Sequence, residues 1–229
     1  MSLTDYIRSS DEKVKKEHPH KKLFGIDILI QDPLPEDISL SRVIESVERI
    51  IPPAFVRGID MIYVGKFAHL EEREVNSMYM HGAIFVTNDQ DNEEDILDDL
   101  VHEIAHHVET KFAQEIYGDG KIRQEFLGKR MRFEKILRFH GADTSAHDFS
   151  DAEYSEEFDS FLYKSVGYDK MDALIMGLFP SPYAVTSLRE YFAIGFESYY
   201  LEDANFLQDI TPQLFIKIEE LNRIGENND

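Results

Sequence analysis

Cysteine is absent from the 229 residues, which excludes a disulfide scaffold. Basic residues are scarce: 24 Lys and Arg stand against 45 Asp and Glu, a formal charge of −21. Such a surface repels a phosphate backbone and an anionic membrane face alike, and no stripe of Lys or Arg interleaved with aromatics overrides it, so nucleic acid is excluded as a partner. Long apolar runs are missing too. Runs such as Ile28 to Ile30, and Leu174 to Phe179 with its glycine, fall far short of the ~20 residues of a spanning helix, and no membrane segment is expected. The N-terminal MSLTDYIRSSDEKVKKEHPHKK has charges but no apolar stretch behind them and no small-residue cleavage site. The chain therefore reads as cytoplasmic, with secretion by a signal-less route left open. Repeats and low-complexity tracts are also lacking. What is present is 42% apolar residues with 16 Phe and 11 Tyr, enough for a real core.

Residues 1–22 read as a polar arm, and 23–229 as a single domain. LFGIDILI (23–30) has the content of a buried strand stopped by Asp32-Pro33. Ser39 or Ser41 can cap a helix through SRVIESVERII, whose Val43, Ile44, Val47, Ile50 and Ile51 keep helical spacing until Pro52-Pro53. IDMIYVG (59–65) and HGAIFVTND (81–89) read as further strands, with a charged, turn-like stretch between them. From Asp91 onward the period changes. Ile96, Leu97, Leu100, Val101, Ile104, Ala105, Val108 and Phe112 recur at three and four, behind a first turn of Asn92, Glu93, Glu94 and Asp95 that suits a helix dipole. This helix is expected to reach Tyr117, where Gly118-Asp119-Gly120 breaks it. Helices are then expected at about 121–139, 153–165, 169–178, 187–203 and 206–223. Strands first and helices after is an α+β order: a small mixed sheet packed on the long helix, then a largely helical C-terminal half.

That long helix carries VHEIAHH, in which His102, Glu103 and His106 match H-E-x-x-H. Positions four apart on a helix lie ~40° apart around the axis and ~6 Å along it, so two imidazoles can converge on one metal ion, with Glu103 beside them. The apolar stripe centres near Leu97, Ile104 and Val108, almost opposite His102 and His106, so the core does not require these histidines. His107 is expected to be a solvated surface residue.

A catalytic zinc takes three protein ligands and leaves a position for water. Glu109 and Phe112 stand where the metzincin pattern needs Gly and His, so a carboxylate from a later helix is the expected third ligand. Two compete. Glu125, in RQEFLGK, has a short separation that works only if the motif helix ends soon after His106; a helix reaching Tyr117 runs ~16 Å past that histidine, and Lys121 to Glu125 recovers only ~6 Å. Glu190, in SPYAVTSLREYFAIGFESYYLED, is the stronger candidate, its bland alternative being an ordinary amphipathic helix.

H-E-x-x-H followed by a later E-[FY]-F-A-x-x-F helix, with a tyrosine seven residues before that glutamate, resembles the ATLF-like metallopeptidases, the group around the anthrax lethal factor catalytic domain and the Pro-Pro endopeptidases. Here the second motif is EYFAIGF and the tyrosine is Tyr183. The resemblance runs from about residue 82 to about 203. It implies a zincin-like fold, Zn2+ on His102, His106 and Glu190, Glu103 as general base, Tyr183 as oxyanion donor and a peptide or protein as substrate. Where the family has a second glutamate four residues after the ligand this chain has Ile194, with Glu197 a turn further on. The stretch between the motifs is longer than in the family and reads as a helical insertion at about 121–178. GAIFVT is the expected edge strand against which an extended peptide pairs, unless it lies inside the sheet. The function expected is a zinc-dependent endopeptidase; the alternatives are an inactive zincin-like binding module and a zinc aminopeptidase using Glu125. Nothing in the sequence fixes the oligomeric state.

Overall fold

The computed structural model describes residues 20–226, with side chains for 21–225; residues 1–19 of the expected polar arm lie outside the described residues. The described residues are α+β and fall into two compact units, divided between His107 and Val108.

The first unit is a five-stranded mixed sheet with helices. β1 (His20–Leu23) and β2 (Ile26–Ile30) are followed by α1 (Leu40–Ile50), α2 (Pro53–Val56), β3 (Met61–Gly65), α3 (Ala68–Glu71), β4 (Ser77–Met80) and β5 (Ala83–Thr87). Strand order is β1-β2-β3-β5-β4, parallel at β2/β3 and β3/β5 and antiparallel at both edges. Three expectations need correction here. The run 23–30 is not one strand but the end of a hairpin, because Phe24 and Gly25 both take positive φ (48° and 88°), the two-residue turn that suits a twisted antiparallel pair. Its first arm recruits residues 20–22 of the expected polar arm; Lys21 donates to Ser41 Oγ and Lys22 pairs with Asp27. The turn-like stretch before residue 81 contains β4, joined to β5 by a similar turn at His81 (52°) and Gly82 (84°). β5 is therefore an interior strand and β4 the edge. One face of the sheet buries Ile28, Ile62, Val64, Ile84 and Val86.

α4 (Glu93–Lys111) carries the H-E-x-x-H motif and crosses the division between the units. Its Ile96, Leu100, Val101, Ile104 and Ala105 are almost wholly buried. It stops six residues earlier than expected. Phe112 leaves helical geometry (φ −116°, ψ 27°), and a separate turn, α5 (Ala113–Tyr117), follows.

The second unit continues with α6 (Lys121–Phe139), as expected, then α7 (Glu156–Ser160), a π-helix at Phe161–Val166, α8 (Tyr168–Ile175), a 3-10 turn at Tyr183–Val185, α9 (Leu188–Leu201), α10 (Ala204–Ile210) and α11 (Pro212–Glu226). The helix expected at 206–223 is thus two helices. Pro212 lacks the N–H that would continue α10, and its fixed φ suits the first turn of a new helix. Phe126, Phe133, Tyr191, Phe192, Phe196, Leu214 and Ile218 build the core. Cationic side chains are buried with them, among them Arg130 and Lys129. Arg130, 1% exposed, lies over the Phe158 ring (4.1 Å) and donates to the carbonyls of Asp151 and Asp148. Lys129 donates to the carbonyls of Leu178 and Ile210. Among the described residues no helix is long and apolar enough to cross a membrane.

Candidate metal centre

α4 presents two adjacent rows of polar side chains. One is Asp99, Glu103 and His107, spaced at four, and β4 is fastened along it. Ser77 Oγ donates to Glu103 Oε1 (2.8 Å) and lies 3.4 Å from Asp99 Oδ1. The backbone N–H of Tyr79 donates to Glu103 Oε2, and the Tyr79 hydroxyl lies 3.0 Å from His107 Nδ1. Gln90 Nε2 donates to the other Asp99 oxygen (2.8 Å). Glu103 is 4% exposed, and each of its oxygens has one donor and one lone pair to spare. Its carboxylate is therefore oriented, yet still able to accept a proton. Burial, together with the Glu103 charge, raises Asp99 to about 6 against the lowering effect of its Gln90 and Ser77 bonds.

His107 is not the solvated residue expected. It is 5% exposed, with Nε2 against the Arg57 carbonyl (3.3 Å). Nε2–H donating to that carbonyl leaves Nδ1 as acceptor for Tyr79, which satisfies a neutral ring at both nitrogens. Beside it Gly58 takes φ 109°, a backbone conformation that favours glycine.

The second row is His102 and His106. Their rings lie 4.9 Å apart, centroid to centroid, and nearly perpendicular at 82°. His106 is buried and His102 half-buried, deeper than a helix face turned to water would place them.

Glu190 is on α9, three residues after the N-cap Ser187, whose Oγ accepts from the Glu190 N–H (3.1 Å). A carboxylate in the first turn also faces the positive end of the helix dipole. Next to it Arg189 donates through Nε to Glu109 Oε2 (2.9 Å), while the Tyr117 hydroxyl donates to Glu109 Oε1 (2.8 Å). Glu109, which broke the metzincin pattern, is thus a 6%-exposed anchor for the residue beside Glu190. Tyr183 opens the 3-10 turn ahead of α9. Burial first, and then the Glu190 charge, pushes its phenol far above the ordinary range, so it keeps its proton at neutral pH.

Each of His102, His106 and Glu190 offers one ligand atom, and these atoms lie within 4.8 Å of one another. Around a tetrahedral metal with bonds of ~2.0–2.2 Å, ligand atoms are ~3.4 Å apart. Side-chain rotation of about an ångström closes that difference, so the donor set fits a small divalent cation.

Glu125 is committed elsewhere. Its Oε2 accepts from the Gln213 N–H (2.9 Å) and its Oε1 from the Leu214 N–H (3.2 Å) and the Tyr191 hydroxyl (2.9 Å). It caps the start of α11. α4 ends at Lys111 and not at Tyr117, so helix length does not keep Glu125 from the metal ligands; its capping bonds do. No family model, curated protein or solved structure matches the chain.

Proposed function

We propose that this chain is a zinc-dependent endopeptidase similar to the ATLF-like metallopeptidases, with His102, His106 and Glu190 as metal ligands. The convergence of those three side chains carries the reading. Two imidazoles and one carboxylate, leaving a coordination position open, is the donor set of a hydrolytic rather than a purely structural zinc site. A zinc ion bound there supplies Lewis acidity, activating water and polarising a carbonyl oxygen. Glu103, adjacent to His102 and aimed by Ser77 and Tyr79, takes a proton from the attacking water and delivers it to the leaving amine. Tyr183, protonated at neutral pH, donates to the oxygen on which negative charge develops. β4 replaces GAIFVT as the edge available to an extended substrate, with the Tyr79 N–H already given to Glu103.

Metal analysis of wild-type, His102→Ala and Glu103→Ala proteins, followed by a peptide-library assay, tests the reading. Wild type and Glu103→Ala should each hold about one zinc per chain, and His102→Ala much less. Only wild type should hydrolyse peptides, with the Glu103 variant slower by several orders of magnitude. Wild-type protein that takes up less than a tenth of an equivalent even with added zinc has no such site. A metal-replete wild type that cleaves nothing in the library favours the binding module instead.

A further inference from the structure

The segment between the two motifs places a second group of side chains close to Tyr183. Asp159, half-buried on α7, accepts from the Tyr168 hydroxyl (2.8 Å) and from the Tyr154 hydroxyl (3.2 Å). Among the described residues no Lys, Arg or His lies within ion-pair distance of it, so the carboxylate is held there by two phenols and by no ion pair. Next along the chain is the π-helix, whose wider turn interrupts regular helix geometry and so re-aims the side chains it carries; such turns concentrate at functional sites. It holds Tyr163 60% exposed, with its ring 5.4 Å from that of Tyr168 and nearly perpendicular to it at 78°. Tyr154 is 51% exposed. Large aromatic rings are thus kept at the surface around an anion. Tyr183 and Glu190 lie within electrostatic reach of the same group: Tyr154, Asp159 and Tyr168 act on the Tyr183 phenol, and Glu190 acts on Tyr154.

Ring faces carry negative potential and attract cations within about 6 Å, and a carboxylate at the base of the rings adds a full charge. We propose that Tyr154, Tyr163, Tyr168 and Asp159 form a subsite that takes the lysine or arginine side chain of a peptide. The perpendicular pair Tyr163 and Tyr168 supplies two walls, Tyr154 a third, and Asp159 the counter-charge. An aliphatic stem packs along the rings while its charged head meets the carboxylate, so a neutral side chain of equal length gains only the first of these contacts. The assignment of this subsite to substrate rests on the peptidase reading; its preference for a cation does not.

The test is therefore binding rather than turnover. Full-length protein with isotope-labelled tyrosine is titrated with acetyl-Gly-Lys-Gly-amide and with its norleucine counterpart, and ring signals are assigned through single Tyr→Phe variants. The lysine peptide should shift Tyr154, Tyr163 and Tyr168, the norleucine peptide should do so at least ~10-fold more weakly, and Asp159→Asn and Tyr163→Ala should each weaken lysine binding several-fold. Tyr163 is exposed enough that its removal leaves the core untouched, which guards against a folding artefact in the Asp159 variant. Equal shifts from the two peptides, or wild-type binding by either variant, overturns the subsite. His102→Ala should bind the lysine peptide normally, so loss of the metal centre and loss of the subsite are read separately.

Discussion

At the residue scale, the same side-chain type takes different roles according to what faces it. Tyr117 spends its hydroxyl on Glu109 and Tyr191 spends its own on Glu125, so each is a structural donor. Tyr183 sits beside Glu190 with its phenol kept protonated. If it stabilises only the developing oxyanion, Tyr183→Phe lowers turnover ~10²- to 10³-fold, or ~3–4 kcal/mol, and changes zinc affinity and KM little. A normal turnover number for the Phe variant would remove Tyr183 from the site. Asp99 gives a test by pH. Its pKa is raised to about 6 from an ordinary 3.8, chiefly by burial, so between those values the folded state holds a proton that the unfolded state has released, and stability falls as pH rises through that window. Above it the ionised Asp99 is a constant cost beside Glu103. Asp99→Asn keeps an acceptor for Gln90 and removes the charge, so in chelator-treated protein it should stabilise by ~1–2 kcal/mol at pH 7.5, with the gain gone by about pH 4. Thermal melts at the two pH values check this, and a gain equal at both would mean that the charge is not the cause.

Elements extend this reasoning, because helix ends leave backbone groups that something must satisfy. Glu125 reaches across from α6 to do so at the start of α11. Glu125→Ala strands two N–H groups and the buried Tyr191 hydroxyl, and should cost ~2–4 kcal/mol of stability while leaving zinc affinity within about two-fold. Melts and chelator competition separate the two effects, and a large loss of zinc with little loss of stability would restore Glu125 as a ligand. The same logic shows what the sequence made legible. α6 and the start of the motif helix are readable because their apolar periods are long and their signals local, the acidic first turn Glu93–Asp95 for one and Gly118 and Gly120 ahead of the other; the stop of the motif helix at Lys111 was not legible, because no glycine or proline marks Phe112. β4 was missed because SMYM has four residues and no buried alternation, its identity coming from pairing with β5. β1 was missed because His20, Lys21 and Lys22 look like a solvated arm until they pair with Asp27, Ile28 and Leu29. Within the site, His102, Glu103, His106 and Glu190 are written as motifs. The supports Ser77, Tyr79, Asp99 and Glu109 are not, since each is defined only by the partner that folding brings to it; Glu109 gave one signal, as a carboxylate where a metzincin glycine would stand.

Across the whole molecule the surplus of acid sets the response to salt. Exposed pairs such as Arg42–Glu93 and Lys22–Asp27 are each worth ~0–1 kcal/mol and weaken as ions screen them. Against them stands repulsion among charges that sum to −21, which the compact state suffers more than the expanded one. Raising ionic strength from 0.01 M to 0.1 M shortens the Debye length from ~30 Å to ~10 Å, removing most repulsion between distant groups while leaving contacts at 3–4 Å partly intact. The many long-range repulsions therefore lose more than the few short-range attractions. Chelator-treated protein should melt several degrees higher at 0.1 M than at 0.01 M NaCl, and the rise should shrink near pH 5, where part of the carboxylates are protonated and the net charge falls. Neutral osmolyte at equal osmolality gives no such pH dependence, because it screens no charge. A melting temperature that falls with salt at neutral pH would mean that the ion pairs outweigh the surplus, and that the acidic residues lie close enough to the cations to be held by them.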